Sequence, residues 1–247
     1  MKSGKAFILL TIFLFVLTGC GDDGTEVIRI GAVYPLSGPQ GPAGEEVKQG
    51  IALAADIINN RYPQLNLPLA KSRGLPAFGN VLVQVMYADD QGTEAGVRRK
   101  TRELLSGFRV VALIGAYQSS LTKIASEMAE EAGVPFLTAT STDPALTERG
   151  FQWFFRTTPT DTTFADDAFR FMAELNDERQ ASLHRLAVIH EGSDFGTGFM
   201  DLVTTLAPQC GMEVVAEVDT QQEADSVSAA VDRIRAAQPE AVITPRR

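Results

Sequence analysis

The chain of 247 residues holds only two cysteines, two histidines and one tryptophan. Two cysteines cannot build the disulfide framework that staples small exported domains, and a chain of this length does not need one. The histidines, His184 and His190, do not stand in metal-ligand spacing with Cys210, which argues against both a metal centre and a His-based catalytic triad. Basic residues are also scarce. Lys and Arg total 22 against 31 for Asp and Glu, a net charge of -9 that repels a phosphate backbone and argues against nucleic acid as a partner. Long apolar runs are missing too: the run over residues 6–17 would cover about 18 Å as a helix, short of the roughly 30 Å needed to cross a membrane. What is present is an ordinary globular balance, 45% hydrophobic and 21% charged, enough for one large or two small packed domains.

The same apolar run has a different use. Lys2 and Lys5 precede it, as in the charged n-region and apolar h-region of a secretory signal. It ends in Leu17-Thr18-Gly19-Cys20, which resembles the bacterial lipobox. That resemblance implies removal of residues 1–19, acylation of Cys20, and a tether over 20–26. Loss of Lys2 and Lys5 would take the net charge from -9 to -11. The expected location is the periplasm or the outer face of the cytoplasmic membrane, held there by lipid. Cys210 then has no partner within the chain and is expected to be a small buried hydrophobe.

From Val27 onward, short β-branched runs alternate with segments of helical period. Strands are expected at 27–34, 81–88, 110–115 and 134–138, with helices at 45–59, 93–106 and 119–132. After Phe154-Phe155-Arg156-Thr157 the rhythm restarts: helices at 161–176, 197–207 and 225–237, and strands at 186–190, 213–218 and 241–244. The helical stripes include Val47, Ile51, Ala54, Ala55 and Ile58 in the first helix and Val227, Ala230, Val231, Ile234 and Ala237 in the last. Such alternation predicts an α/β fold of two doubly wound parallel-sheet lobes, 27–152 and 153–247. Residues 62–80, rich in Pro, Leu and Gly, are expected to form a surface loop. The chain stops just after an interior-type strand, so the second lobe reads as incomplete.

Open parallel sheets bind ligands beyond the carboxyl ends of their strands, and three such loops here are rich in small polar residues. The first, Pro35-Leu36-Ser37-Gly38-Pro39, is equally well explained as a turn. The second, Gly115-Ala116-Tyr117-Gln118-Ser119-Ser120, runs into a helix whose N–H groups and dipole favour a carboxylate or phosphate, although a plain N-cap would also account for one serine. The third, Thr138-Ala139-Thr140-Ser141-Thr142-Asp143-Pro144, gathers four hydroxyls into five residues. Together they could hold a small anion without an arginine.

These segments, in order with Gly31-Ala32-Val33-Tyr34-Pro35, Tyr87-Ala88-Asp89-Asp90 and Phe155-Arg156-Thr157-Thr158, resemble the leucine/isoleucine/valine-binding family of periplasmic substrate-binding proteins. The resemblance runs from Val27 to Ile243. It implies a two-lobed type I periplasmic binding protein that closes by a hinge around an amino acid or related small molecule and delivers it to the permease and ATPase of an ABC transporter, without a cofactor and without catalysis. It also implies that Ser119 and Thr142 give hydroxyls to the ligand carboxylate, that Thr140 gives a backbone group, and that Ser141 lines the same wall. In the second lobe Phe195 stands where the family commonly presents a tyrosine, so its ring could pack but not hydrogen-bond. Ala43 replaces an aromatic before Gly44. The family's acidic group for the ligand ammonium falls at or beyond the end of this chain, as do several return elements of the first lobe, so the resemblance implies C-terminal truncation. The alternatives are a ligand-sensing receptor component with the same lobes, or a nonfunctional truncated product.

Two motifs favour other chemistry only weakly. Ser120-Leu121-Thr122-Lys123 fits the S-x-x-K of penicillin-interacting enzymes but lacks the partner motifs, and Asp194-Phe195-Gly196 lacks the rest of a kinase. Asp89 and Asp90 are adjacent, face opposite ways in an extended segment, and so do not make an acid/base pair.

Overall fold

The β-branched run after Glu26 does become a strand, and its parallel neighbours follow at the expected spacing. A computed structural model describes residues 26–221 and 227–245. The elements are β1 (Val27–Tyr34), α1 (Gly41–Asn59), β2 (Leu82–Asp89), α2 (Glu94–Ser106), β3 (Ala112–Gly115), α3 (Ser119–Glu131), β4 (Phe136–Thr138) and β5 (Phe154–Arg156). They continue with α4 (Asp161–Arg179), β6 (Arg185–His190), α5 (Asp194–Leu206), β7 (Glu213–Asp219), α6 (Val227–Ala237) and β8 (Ala241–Ile243). One sheet has the order β2-β1-β3-β4-β5 and the other β7-β6-β8, with every named pairing parallel. In both sheets the strand order reverses beside the first strand, at β1/β3 and at β6/β8. Loops leave in opposite directions at such a switch point and open a crevice there.

Register decides which residues are buried. Leu113, Phe136 and Phe154 lie in one row across β3, β4 and β5 and pack with Val97, Leu104, Ile124, Ala125 and Ala129 of α2 and α3. Phe136 and Phe154 stack with ring centroids 6.1 Å apart. The next row, Ile114, Leu137 and Phe155, points to the other face, where Phe155 is 50% exposed. On that face α1 packs mainly against β2, and its expected stripe is only half-buried, with Ala54 exposed. The second sheet has its own core of Phe169, Leu186, Val188, Phe199 and Val203.

Three expectations need correction. Residues 154–156 form a strand on the first sheet, so the chain leaves that sheet after Arg156. In α6, Val227 and Val231 face solvent, and only Ala230 of the expected stripe is buried. Cys210 is exposed, because a 3₁₀ turn over Ala207–Cys210 rotates it away from the core that holds Ala207. The 62–80 segment is a surface loop with 3₁₀ turns at Pro68–Ala70 and Pro76–Phe78. The signal segment, Cys20 and most of the tether lie outside the described residues.

Candidate functional site: a cleft between two sheets

Three helices begin beside the carboxyl end of the preceding strand, and each does so with a glycine against a backbone carbonyl. A Cβ on Gly44, Gly96 or Gly196 would come within 1.9 Å of the carbonyl oxygen of Pro35, Asp90 or Glu191. The absence of a side chain lets α1, α2 and α5 start close against the strand ends. Gly115 serves β3 similarly: at φ +157°, a Cβ there would lie 2.5 Å from the Val33 carbonyl.

The first loop spends its polar groups internally. Asp89 accepts from the Leu36 N–H at 2.9 Å, the Ser37 hydroxyl at 2.6 Å and the Gln91 N–H at 2.9 Å. Burial works to raise its pKa, but these donors together hold it below the ordinary carboxylate range. Its neighbour Asp90 turns inward, is fully buried, and accepts only the Gly92 N–H for one oxygen while the other has no partner. Burial, reinforced by the Asp89 charge, pushes Asp90 up to about 6 against that single bond.

The second and third loops meet. Thr140 Oγ1 donates to the Ala116 carbonyl at 2.9 Å, and Thr122 Oγ1 lies 2.6 Å from Ser141 Oγ. Ser141 also reaches the carbonyls of Ala116 and Tyr117, and it has no exposed surface. It therefore ties the two loops together from beneath and does not line the wall, contrary to the expectation. Arg156 fixes the far end of the third loop through the Asp143 carbonyl and the Thr147 hydroxyl, both at 2.7 Å. Gln118, not a serine, occupies the N-cap of α3, and Ser119 is its first helical residue.

Helix α4 starts against this assembly. Thr160 caps it by accepting from the Thr163 N–H, and the Asp161 N–H donates to the Thr142 carbonyl at 2.9 Å. The Asp161 carboxylate, 5% exposed, is thus held at a helix N-terminus, where the dipole favours negative charge. A cavity of about 410 Å³ opens here, lined by Thr140, Thr142, Thr158 and Asp161 together with Phe195, Phe199 and Pro245 from beyond the second sheet. A second hollow of about 620 Å³ is lined by Ser119, Ser120 and Lys123 and shares Asp161 and Phe195 with the first. The two are parts of one cleft.

Of the expected residues, Thr140, Thr142 and Phe195 border the inner cavity, Ser119 borders the outer, and Ser141 borders neither. The Thr142 hydroxyl is buried and has no hydrogen-bond partner. Asp161, Thr158, Tyr117 and Phe164 also line the inner cavity and were missed. For Asp161 the signal was legible as Thr160-Asp161 opening a helix directly after the motif ending in Thr158.

His190, at the carboxyl end of β6, sets the base of the loop that carries Phe195. Its ring is buried, with Nδ1 3.1 Å from the Glu191 carbonyl and Nε2 3.1 Å from Glu217 Oε1. Both partners are acceptors, so the arrangement favours the protonated ring, in which both nitrogens donate. Burial opposes that charge, but the Glu217 carboxylate, the Glu191 carbonyl and the nearby Asp219 outweigh it and raise the pKa above 6.5. A raised folded-state pKa stabilises below the unfolded value and is lost as pH climbs through the folded one. His190→Gln is therefore expected to cost on the order of 1 kcal/mol below pH 6.5, a charge-assisted bond discounted for the exposure of Glu217, with the gap closing at alkaline pH. Urea midpoints of both proteins across pH 5.5 to 9 check this.

Two parallel sheets whose carboxyl ends face one hydroxyl-bearing cleft define the type I periplasmic binding protein fold. The family model described as "Periplasmic binding protein" matches residues 27–244. Curated relatives include Leu/Ile/Val-binding protein homolog 8 of Brucella abortus (strain 2308), 28% identical over 193 residues, and homolog 7 of the same strain, 27% identical over 195; each match covers 76% of this chain and 44% of the relative. Among solved structures, the branched-chain amino acid transporter substrate-binding protein LivJ of Streptococcus pneumoniae, in complex with isoleucine, superposes with a TM-score of 0.69 at 21% identity, covering 90% of this chain and 57% of that one. An ABC transporter solute-binding protein of R. palustris, in complex with 4-hydroxybenzoate, superposes with a TM-score of 0.71 at 19% identity, covering 90% and 54%. The chain belongs to the periplasmic binding protein family. It spans somewhat under half the length of the curated relatives it matches.

Proposed function

We propose that this chain is the extracytoplasmic solute-binding component of an ABC transporter, taking an amino acid or a related small carboxylate into the cleft and handing it to a membrane permease and its ATPase. The observation that carries the reading is the Thr142 hydroxyl, buried without a partner on a cavity that also holds the Asp161 carboxylate. A buried hydroxyl left unsatisfied costs free energy in the empty protein, and an incoming carboxylate relieves that cost. In this reading Thr142, Ser119 and the N–H groups opening α3 receive the ligand carboxylate, and a backbone group at Thr140 assists. Ser141 acts only through the loops it joins. Asp161 faces the ligand ammonium, and Phe195 packs on the side chain.

The two lobes close on the ligand about the crossing between β5 and α4, so the first lobe runs on through Arg156, past the boundary at 152, because β5 pairs with β4. Binding in a cleft that both bodies line favours closure, since each contributes contacts the open form lacks. Export and lipid attachment at Cys20 complete the proposal.

Thr142→Val tests it. A hydrogen bond to a charged group is worth about 1.5–3 kcal/mol, so calorimetric affinity for an amino-acid ligand is expected to fall about 10- to 100-fold. Because the hydroxyl has no partner in the empty protein, the thermal midpoint is expected to hold or rise. Unchanged affinity with lowered stability would mean that Thr142 serves the fold and not the ligand.

A further inference from the structure

The polar lining of the inner cavity accounts for a ligand's head group but not for the rest of its wall. That wall is aromatic. Tyr117 comes from the loop after β3, Phe164 from the first turn of α4, and Phe195 and Phe199 from the first turns of α5. Four rings from three separate elements therefore converge on one cavity of about 410 Å³, within the usual range for small-molecule sites. Phe195 and Phe199 have centroids 6.4 Å apart at 42°, a tilted arrangement that leaves ring edges and faces at different angles. Phe199 is anchored in the second core, so this part of the wall is rigid. Phe164, by contrast, is 44% exposed although it sits one turn from the buried Asp161. An open ring at the mouth of a cavity gains from being covered.

From this we infer that the cleft selects solutes that carry an aromatic ring over those with a branched aliphatic chain. The inference rests on the solute-binding reading above and adds the chemistry of the ligand's apolar end. An aliphatic guest gains only the area it buries, whereas an aromatic guest can also set its edge against one ring and its face against another. Each such pair adds about 0.5–1.5 kcal/mol beyond area, so one or two pairs amount to roughly a tenfold preference. The rings lie on both sides of the cleft, so the preference is greatest in the closed form.

The test titrates the 247-residue chain with two pairs of compounds matched in head group: L-phenylalanine against L-leucine, and benzoate against 3-methylbutanoate. Whichever head group binds, its aromatic member is expected to bind about tenfold more tightly. Phe164→Leu, at an exposed position with little bearing on folding, is expected to shrink that ratio to within about threefold of unity by weakening the aromatic member more than the aliphatic one. Equal or tighter binding of the aliphatic member overturns the inference and leaves the solute-binding reading standing. A ratio unmoved by both Phe164→Leu and Phe195→Leu also overturns it. No binding by any of the four overturns both.

Discussion

Asp161→Asn is expected to reduce affinity for an amino-acid ligand by a factor of about 30 or more, because a buried charge pair that loses one partner costs about 2–5 kcal/mol. Asp161 is 5% exposed and lies on both parts of the cleft, so an ammonium bound there is cut off from water and needs a counter-charge. The substitution preserves shape and leaves intact the backbone N–H that docks α4 on the Thr142 carbonyl. A carboxylate lacking the ammonium, such as 3-methylbutanoate, provides the internal control: its affinity is expected to stay level or to rise once the negative charge is gone. Calorimetry of both ligands on both proteins separates the cases. If the amino acid binds Asp161→Asn as tightly as the parent, its ammonium is held elsewhere and this carboxylate serves the fold alone.

The second large effect concerns stability and lies away from the cleft. Asp90 is buried with one hydrogen bond, and its pKa rises from 3.8 to about 6. Well below pH 3.8 the group is protonated folded or unfolded. Between 3.8 and about 6 the unfolded chain has released the proton and the folded chain keeps it, so stability falls with rising pH; above that range both states are ionised and the fall is complete. At about 1.4 kcal/mol per pH unit the total amounts to at most about 3 kcal/mol. Asp90→Asn removes this contribution. The stability difference between variant and parent is expected to grow in the variant's favour from pH 4 to pH 7, by up to that amount, in urea unfolding. Parallel curves would show that Asp90 ionises as freely in the fold as out of it. The adjacent Asp89 supplies the contrast: with three donors on its carboxylate, Asp89→Asn is expected to lose stability above pH 4 and not to gain it.

Much of this was legible in the sequence, because secondary structure follows local periods. The runs at 27–34 and 213–218 alternate with segments of helical period, and β1, β7 and the helices between appear within a few residues of where those periods place them. The weakest readings came where a local pattern had to predict a distant contact. Val227 and Val231 share a helical period with Ala230, yet which arc of α6 is buried depends on how it rests against β7. Phe154-Phe155-Arg156 is too short to announce a strand by itself. It becomes one because β4 lies alongside it.

The cleft divides in the same way. The sequence by itself determined that hydroxyls would crowd the carboxyl ends of β3 and β4, since the strands expected at 110–115 and 134–138 run directly into segments rich in Ser and Thr. Only the tertiary structure decided which hydroxyl is left without a partner at the cavity. Ser141 and Thr142 are neighbours, but the meeting of two loops from different strands turns the first inward onto Thr122 and leaves the second without a partner. Asp161 joins them from nineteen positions further on than Thr142, because α4 docks its first N–H on the carbonyl of Thr142. A period of two or of 3.6 residues carries no information about such a meeting, which depends on how the crossover from one sheet to the other packs.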